Sequence, residues 1–162
     1  SNFGVGLAWK ATSALTLAAD VQRIQYSDVR SVGNQLGNLF TGNAFGSSNG
    51  PGFGWKDVTV AKLGVSYDIN EWTLRAGYSH ATQPIPKDQT FLNILAPGVV
   101  QDHLSLGATW NLSRRGELSV AYTHAFRKTV NGSGSIPLAY GGGEANIDLA
   151  EDIFGVAYGW KF

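Results

Sequence analysis

The last ten residues, Ile153-Phe154-Gly155-Val156-Ala157-Tyr158-Gly159-Trp160-Lys161-Phe162, alternate without a break between large apolar side chains and small or polar ones. Successive side chains of a strand point to opposite faces. Phe154, Val156, Tyr158, Trp160 and Phe162 therefore share one face, and Gly155, Ala157, Gly159 and Lys161 the other. A soluble sheet usually backs its large residues with long charged ones, whereas here the second face is mostly small. That combination suits a strand with lipid on one side and a crowded barrel interior on the other.

The same period of two recurs in about seven segments, separated alternately by short turns and by long connections rich in Gly, Asn, Ser and Pro. Residues 3–9 set Phe3, Val5, Leu7 and Trp9 over Gly4, Gly6 and Ala8. Residues 15–21 follow, with Leu15, Leu17, Ala19 and Val21 outward; the phase then changes at Ile24 and Tyr26, which predicts a bulge near Arg23 or an exit from the membrane. After residues 29–55, residues 59–69 carry Ala61, Leu63, Val65, Tyr67 and Ile69 outward, and Asn70-Glu71 forms a two-residue turn into Trp72, Leu74, Ala76 and Tyr78. Pairing Ile69 with Trp72 sets Asp68 opposite Thr73 and Ser66 opposite Arg75. Asp68 and Arg75 become diagonal neighbours, a candidate lumenal ion pair, and two separately solvated charges fit the sequence equally well.

Residues 104–112 form the fifth segment, and Ser113-Arg114-Arg115-Gly116 closes its hairpin. The sixth leaves the apolar band at Arg127-Lys128 after about nine residues, the number a tilted membrane strand needs. If Leu112 pairs with Leu118, His103 faces inward beside Arg127 and His124 outward beside Leu106. The seventh band, 154–162, pairs with Phe126 to Leu118 and sets Tyr158 beside Tyr122, with Asp152 marking where the outward row becomes charged.

Composition narrows the class further. Among 162 residues, 21 Gly, 8 Phe, 6 Tyr and 5 Trp accompany few helix-favouring stretches, which points to an all-β chain. Twelve basic and twelve acidic residues cancel, leaving no net charge to recruit nucleic acid. Without Cys there are no disulfides or thiolate sites, and the three His lack ligand-like spacing, so neither a metal nor a cofactor is expected. No run of about eighteen apolar residues offers a spanning helix, a fact that leaves a barrel untouched. Four of the five Trp (Trp9, Trp72, Trp110 and Trp160) lie beside the short turns or the terminus, where an interfacial girdle belongs; a soluble sandwich has no reason for that placement. Short turns are periplasmic in outer-membrane barrels, so the C-terminus is expected in the periplasm.

Three stretches carry a family resemblance: residues 54–64 (Gly54-Trp55-Lys56-Asp57 onward), Leu74-Arg75-Ala76-Gly77-Tyr78-Ser79-His80 with Gln83-Pro84-Ile85-Pro86, and residues 101–108 (Gln101-Asp102-His103-Leu104 onward). In wording and order, together with the terminal Phe162, they resemble the C-terminal part of the FadL/OmpP1/TodX outer-membrane transporters. The resemblance implies an antiparallel transmembrane β-barrel of fourteen strands with an N-terminal plug. It also implies passage of long-chain fatty acids or aromatic hydrocarbons across the outer membrane of a Gram-negative bacterium. About seven strands would be the C-terminal half of that barrel. The whole chain, residues 1–162, is then one part of a single barrel domain that carries no plug and no signal peptide. Two unpaired edges are not tolerated in a bilayer. Either the segment belongs with a missing N-terminal half, or copies pair, or the long loops conceal a strand that closes a small barrel of about eight. The absence of Met and the opening directly in strand alternation predict a processed chain or a fragment.

The expected partners are outer-membrane lipid and lipopolysaccharide, hydrophobic small molecules, and the assembly machinery, for which Tyr158, Trp160 and Phe162 resemble the recognition signal. Between Gln83 and Val100 lie Phe91, Leu92, Ile94, Leu95, Val99 and Val100, an apolar set for a connection that water should solvate. With inward Val58 and Val60 they are candidates for the substrate path, against the plainer reading that the loop residues pack on one another. Catalysis is not expected, because His103 and His124 fall on opposite faces and a general base needs its partner within hydrogen-bond reach. A general porin should line its lumen with rings of charge; the inward rows here are Gly, Ala, Ser and Thr with few charges such as Lys62, Arg75 and Lys161.

Overall fold

The computed structural model describes residues 1–113 and 116–160. Seven strands, β1 (Asn2–Lys10), β2 (Leu15–Ile24), β3 (Val58–Ile69), β4 (Trp72–Ala81), β5 (Asp102–Asn111), β6 (Gly116–Val130) and β7 (Ile147–Trp160), form one antiparallel sheet. They lie in sequence order, each paired with the next, so β1 and β7 are its two edges. Three long connections stand at one end and carry only short helices, among them α1 (Arg30–Gly33) and α2 (Thr90–Asn93). Among the described residues no further strand exists to close a barrel of eight; the sheet is open.

The period of two survives in register. The row Phe3, Val5, Leu7 and Trp9 and the row Phe154, Val156, Tyr158 and Trp160 are 61 to 77% exposed without lipid. The rows of β3 to β6 between them follow the same parity. Trp72 stacks on Trp110 with centroids 5.3 Å apart and planes 5° from parallel. The turn after Ile69 places Asn70 at φ 52°, the left-handed conformation Asn tolerates best among residues with a Cβ. That tight turn fixes Ile69 against Trp72, Asp68 against Thr73 and Ser66 against Arg75, as expected.

Other expectations are corrected. Of the two alternatives at Arg23, the bulge does not occur: β2 runs in register against both neighbours and ends at Ile24, an apolar residue on the inner face. The irregularity lies instead in β6, between Ala125 and Lys128. Trp110, not Leu112, faces Leu118. The reason is local, since the Ser113 Oγ accepts the Gly116 N–H at 3.0 Å and ends the hairpin there. Arg114 and Arg115 of that turn lie outside the described residues. Consequently His103 is opposite Ala125 rather than beside Arg127, and His124 opposite Leu104 rather than Leu106. In β7 the shift is four: Tyr158 faces Leu118, and Tyr122 faces Phe154. Residues 131–146 form too long a connection to impose a register, and β7 accordingly begins at Ile147. The shifts of the hairpin and of β7 are even and leave faces unchanged, whereas the irregularity between Ala125 and Lys128 is odd and turns Arg127, expected inward beside His103, to the outward side, where it bonds Asp148.

Burial is concentrated away from the strand centres. Ile85, Val99, Val130 and Ile147 form the buried cluster, with Trp55 and Leu149 packed against it. It joins two long loops to the upper ends of β6 and β7. Buried Asn93 ties loops together: its Nδ2 donates to the carbonyls of Phe53 and Gln89, each at 2.7 Å, and its Oδ1 accepts from Trp55 Nε1. Buried Thr90 donates to the Ala145 carbonyl at 2.6 Å, linking the second long loop to the third.

Candidate functional site

At the loop end the inner face of the sheet and the loop cap border an open pocket of about 250 Å³. The strands supply Ile24, Val58, Val60, Ala81 and His103, all of inward parity, and the loops supply Tyr26, Trp55, Thr82, Pro84, Gly98 and Val100. Trp55, Tyr26 and Gly98 are held by definable contacts. Trp55 meets Tyr26 edge to face at 5.0 Å. Its indole N–H is satisfied by Asn93, which leaves the ring itself to act as apolar wall. Gly98 lets the ring approach, for a Cβ there would stand 2.8 Å from it.

Tyr26 is positioned by Asp57. That carboxylate accepts from the Ser27 hydroxyl at 2.7 Å, the Ser27 N–H at 3.1 Å and Arg23 Nη2 at 3.4 Å. The Ser27 hydroxyl first, then its N–H and the Arg23 charge, hold the Asp57 carboxyl below its ordinary value of 3.8. Toward the membrane the character changes within one row. Asp20, opposite Lys62, bonds it at 3.3 Å, and the same transverse row continues through Ser79 and His103 to Ala125 and Glu151. The cavity is thus an apolar chamber above a charged layer.

The structure divides the predicted path residues. Val58, Val60 and Val100 line the cavity. Val99 is fully buried in the loop core behind it. Phe91 packs with Tyr140, centroids 5.7 Å apart, and Leu92 is half-buried in α2, whereas Ile94 and Leu95 are 55 and 78% exposed at the loop tip. The expected Asp68–Arg75 ion pair does not form. Thr73 Oγ1 donates to Asp68 Oδ1 at 2.7 Å, and Arg75 Nη1 reaches across to Thr109 Oγ1 at 2.7 Å. A diagonal placement offers each group a hydroxyl closer than its opposite charge. Of the assembly signal, Tyr158 and Trp160 stand exposed on the outward row of β7; Phe162, with Lys161, lies outside the described residues.

Sequence reading missed Ile24, Tyr26, Trp55, Ala81, Thr82, Pro84, Gly98 and His103 as cavity residues. The signal was present for two of them: Ile24 is large and apolar on an inward position, and Trp55 is the one Trp outside the girdle row.

In chemical terms the chamber offers dispersion contacts and very few polar groups. A volume of about 250 Å³ is room enough for a guest of benzene's size, which a closed apolar cavity of roughly 150 Å³ holds. A larger depression of about 330 Å³ lies between Leu106, Val120, Tyr122 and Phe154 on the outer face, where acyl chains belong.

Comparison with known proteins supplies the context. A family model described as outer membrane protein transport protein (OMPP1/FadL/TodX) matches residues 2–162. No curated protein sequence matches the chain. Among solved structures, the P. putida toluene transporter TodX is 20% identical with a TM-score of 0.65, covering 99% of this chain and 34% of its own. A Pseudomonas aeruginosa FadL homologue gives 16% and 0.71 over 98% of this chain and 35% of its own. The Ralstonia pickettii toluene transporter TbuX gives 18% and 0.58 over 99% and 33%. At these identities the likeness establishes the fold. The chain spans about a third of the length of those structures.

Proposed function

Because this chain belongs to the OMPP1/FadL/TodX family of outer-membrane transport proteins, we propose that it forms part of the wall and mouth of a passive route for hydrophobic compounds. Aromatic hydrocarbons or long-chain fatty acids are the substrate class, and the enclosing protein is a barrel in a Gram-negative outer membrane. The observation that carries this reading is the mainly apolar chamber, whose walls come from four strands and two loops. In this reading the seven strands are the second half of a barrel of about fourteen and their edges pair with the missing strands. The loops face outward, the C-terminus is periplasmic, and Tyr158, Trp160 and Phe162 serve recognition by the assembly machinery.

Transport requires that the chamber hold a guest only briefly. The polar row that runs from the Asp20–Lys62 ion pair to His103 at the chamber's lower edge limits how deeply an apolar molecule settles, so the apolar contacts capture and the polar layer promotes release.

The test is uptake of labelled toluene, oleate and a sugar by cells carrying the full-length protein. Val60→Trp, which fills the chamber, should lower toluene uptake about tenfold, as expected for loss of a small apolar guest's contacts. Val65→Trp, on the lipid-facing row, should leave it unchanged. Sugar uptake equal to toluene uptake, with no effect of Val60→Trp, would reject the reading in favour of a general porin.

A further inference from the structure

The lipid-facing surface carries one polar arrangement twice. On β4 and β5, Tyr78 Oη and His80 Nδ1 both bond the Asp102 carboxylate, the histidine at 2.7 Å. On β6 and β7, Tyr122 Oη at 2.6 Å and His124 Nδ1 at 2.8 Å bond the Asp152 carboxylate. The parent sequences match, Tyr78-Ser79-His80-Ala81 against Tyr122-Thr123-His124-Ala125. In each, the Tyr and His lie two apart on the outward parity of one strand and the Asp on that of the next.

Position and chemistry together identify a partner. Each cluster sits where an outward apolar row ends at the loop side, beyond Leu104 in one case and Phe154 in the other. An ionised carboxylate only accepts hydrogen bonds, so each imidazole donates from Nδ1, and in its neutral form presents Nε2 as an acceptor. Among the described residues neither Nε2 makes a hydrogen bond. His80 is 50% exposed and His124 35%. Aromatic rings flank the second cluster, with Phe154 4.8 Å from Tyr122 and Phe126 4.8 Å from His124. A surface that combines acceptors, a fixed carboxylate and ring faces suits sugar hydroxyls and amide N–H groups; a bare phosphate would meet like charge.

We propose that the twin Tyr–His–Asp clusters are headgroup sites for a glycolipid of the outer leaflet, which donates hydrogen bonds from its sugar hydroxyls and amides to His80 and His124. The proposal rests on the loops facing outward, and not on the identity of the transported compound.

The experiment uses the full-length protein in nanodiscs of phospholipid alone, of phospholipid with lipid A, and of phospholipid with dephosphorylated lipid A. Both thermal unfolding and retained lipid A are measured. The decisive variant is H80N/H124N: an Asn amide can replace Nδ1–H toward the Asp, but nothing replaces Nε2. Wild type should be stabilised by either lipid A form. H80N/H124N should match wild type in phospholipid, lose that added stability and retain about tenfold less lipid A, the consequence of two lost hydrogen bonds. H80A/H124A should be weakened in all three membranes. Equal stabilisation of wild type and H80N/H124N by lipid A would overturn the proposal and leave the clusters as ties between strands. Dependence on the phosphates would overturn the sugar assignment. Hydrocarbon uptake measured alongside reports on the transport reading separately.

Discussion

The sheet and the loop cap bury their residues in opposite ways. In the strands the large apolar side chains face outward and remain exposed until lipid covers them, and below the chamber the inner face is mostly small and polar. In the cap, Val99, Thr90 and Asn93 are fully buried and the largest apolar cluster of buried residues bridges loops to strand ends. One region is organised for a solvent of hydrocarbon and the other as a small water-type core with satisfied polar groups. The candidate chamber lies where the two meet, which explains its mixture of strand valines with a loop tryptophan, tyrosine and proline.

The largest expected effect tests whether the cap stands apart from the sheet. Asn93→Ala removes the partner of Trp55 Nε1 and of two carbonyls, and should destabilise the cap by about 3–5 kcal/mol, summed from groups left unpaired. Trypsin should then cut the loops while the folded barrel still migrates as a compact band on unheated gels; joint loss of both would show that cap and sheet are one unit.

A charge placed on each face of one strand sharpens the contrast next. Val156→Arg puts a guanidinium into lipid and should cost about 2–4 kcal/mol near the bilayer midplane. The neighbouring Ala157→Arg, on the inner face, should cost far less, read as folding yield into vesicles. Similar losses at both would contradict the assignment of faces.

Acid should act on the cap through Asp57. Its carboxyl is lowered in the folded state, so its stabilising bonds to Ser27 and Arg23 are fully present above the ordinary value of 3.8 and disappear as pH falls through the lowered one. Loop protection from a protease active in acid should fall between about pH 4 and pH 2 in the parent relative to D57N, which has no such dependence. The absence of a difference would mean that Asp57 does not hold Tyr26 in place.

The smallest effect belongs to the inner face. Asp68 and Arg75 bond Thr73 and Thr109, so a double-mutant cycle of D68N with R75Q should give a coupling under about 0.5 kcal/mol. A larger value would restore the ion pair.

Legibility in the sequence followed the same division. Strands, faces and the Asn70-Glu71 turn could be read because a repeat of two and a residue tolerant of φ 52° are local properties. Register was legible across that short turn and not across residues 131–146, where β7 stands four residues from its expected place. Val58, Val60 and Val100 were recognisable as chamber residues, Val58 and Val60 from their inward parity and Val100 only as one of an apolar loop set. Trp55 and Gly98 were not, since their role depends on contacts between segments far apart in the chain.

The sequence by itself determined the all-β class, which side of each strand meets lipid, and the girdle of Trp9, Trp72, Trp110 and Trp160, because alternation and amphipathic rings act residue by residue. Only the tertiary structure decided the register of the later strands, the partners of Asp68 and Arg75, the split of the apolar loop residues between core, chamber and surface, and the repeated Tyr–His–Asp clusters. Those depend on which distant backbone segments come side by side, and long loops leave that choice to packing.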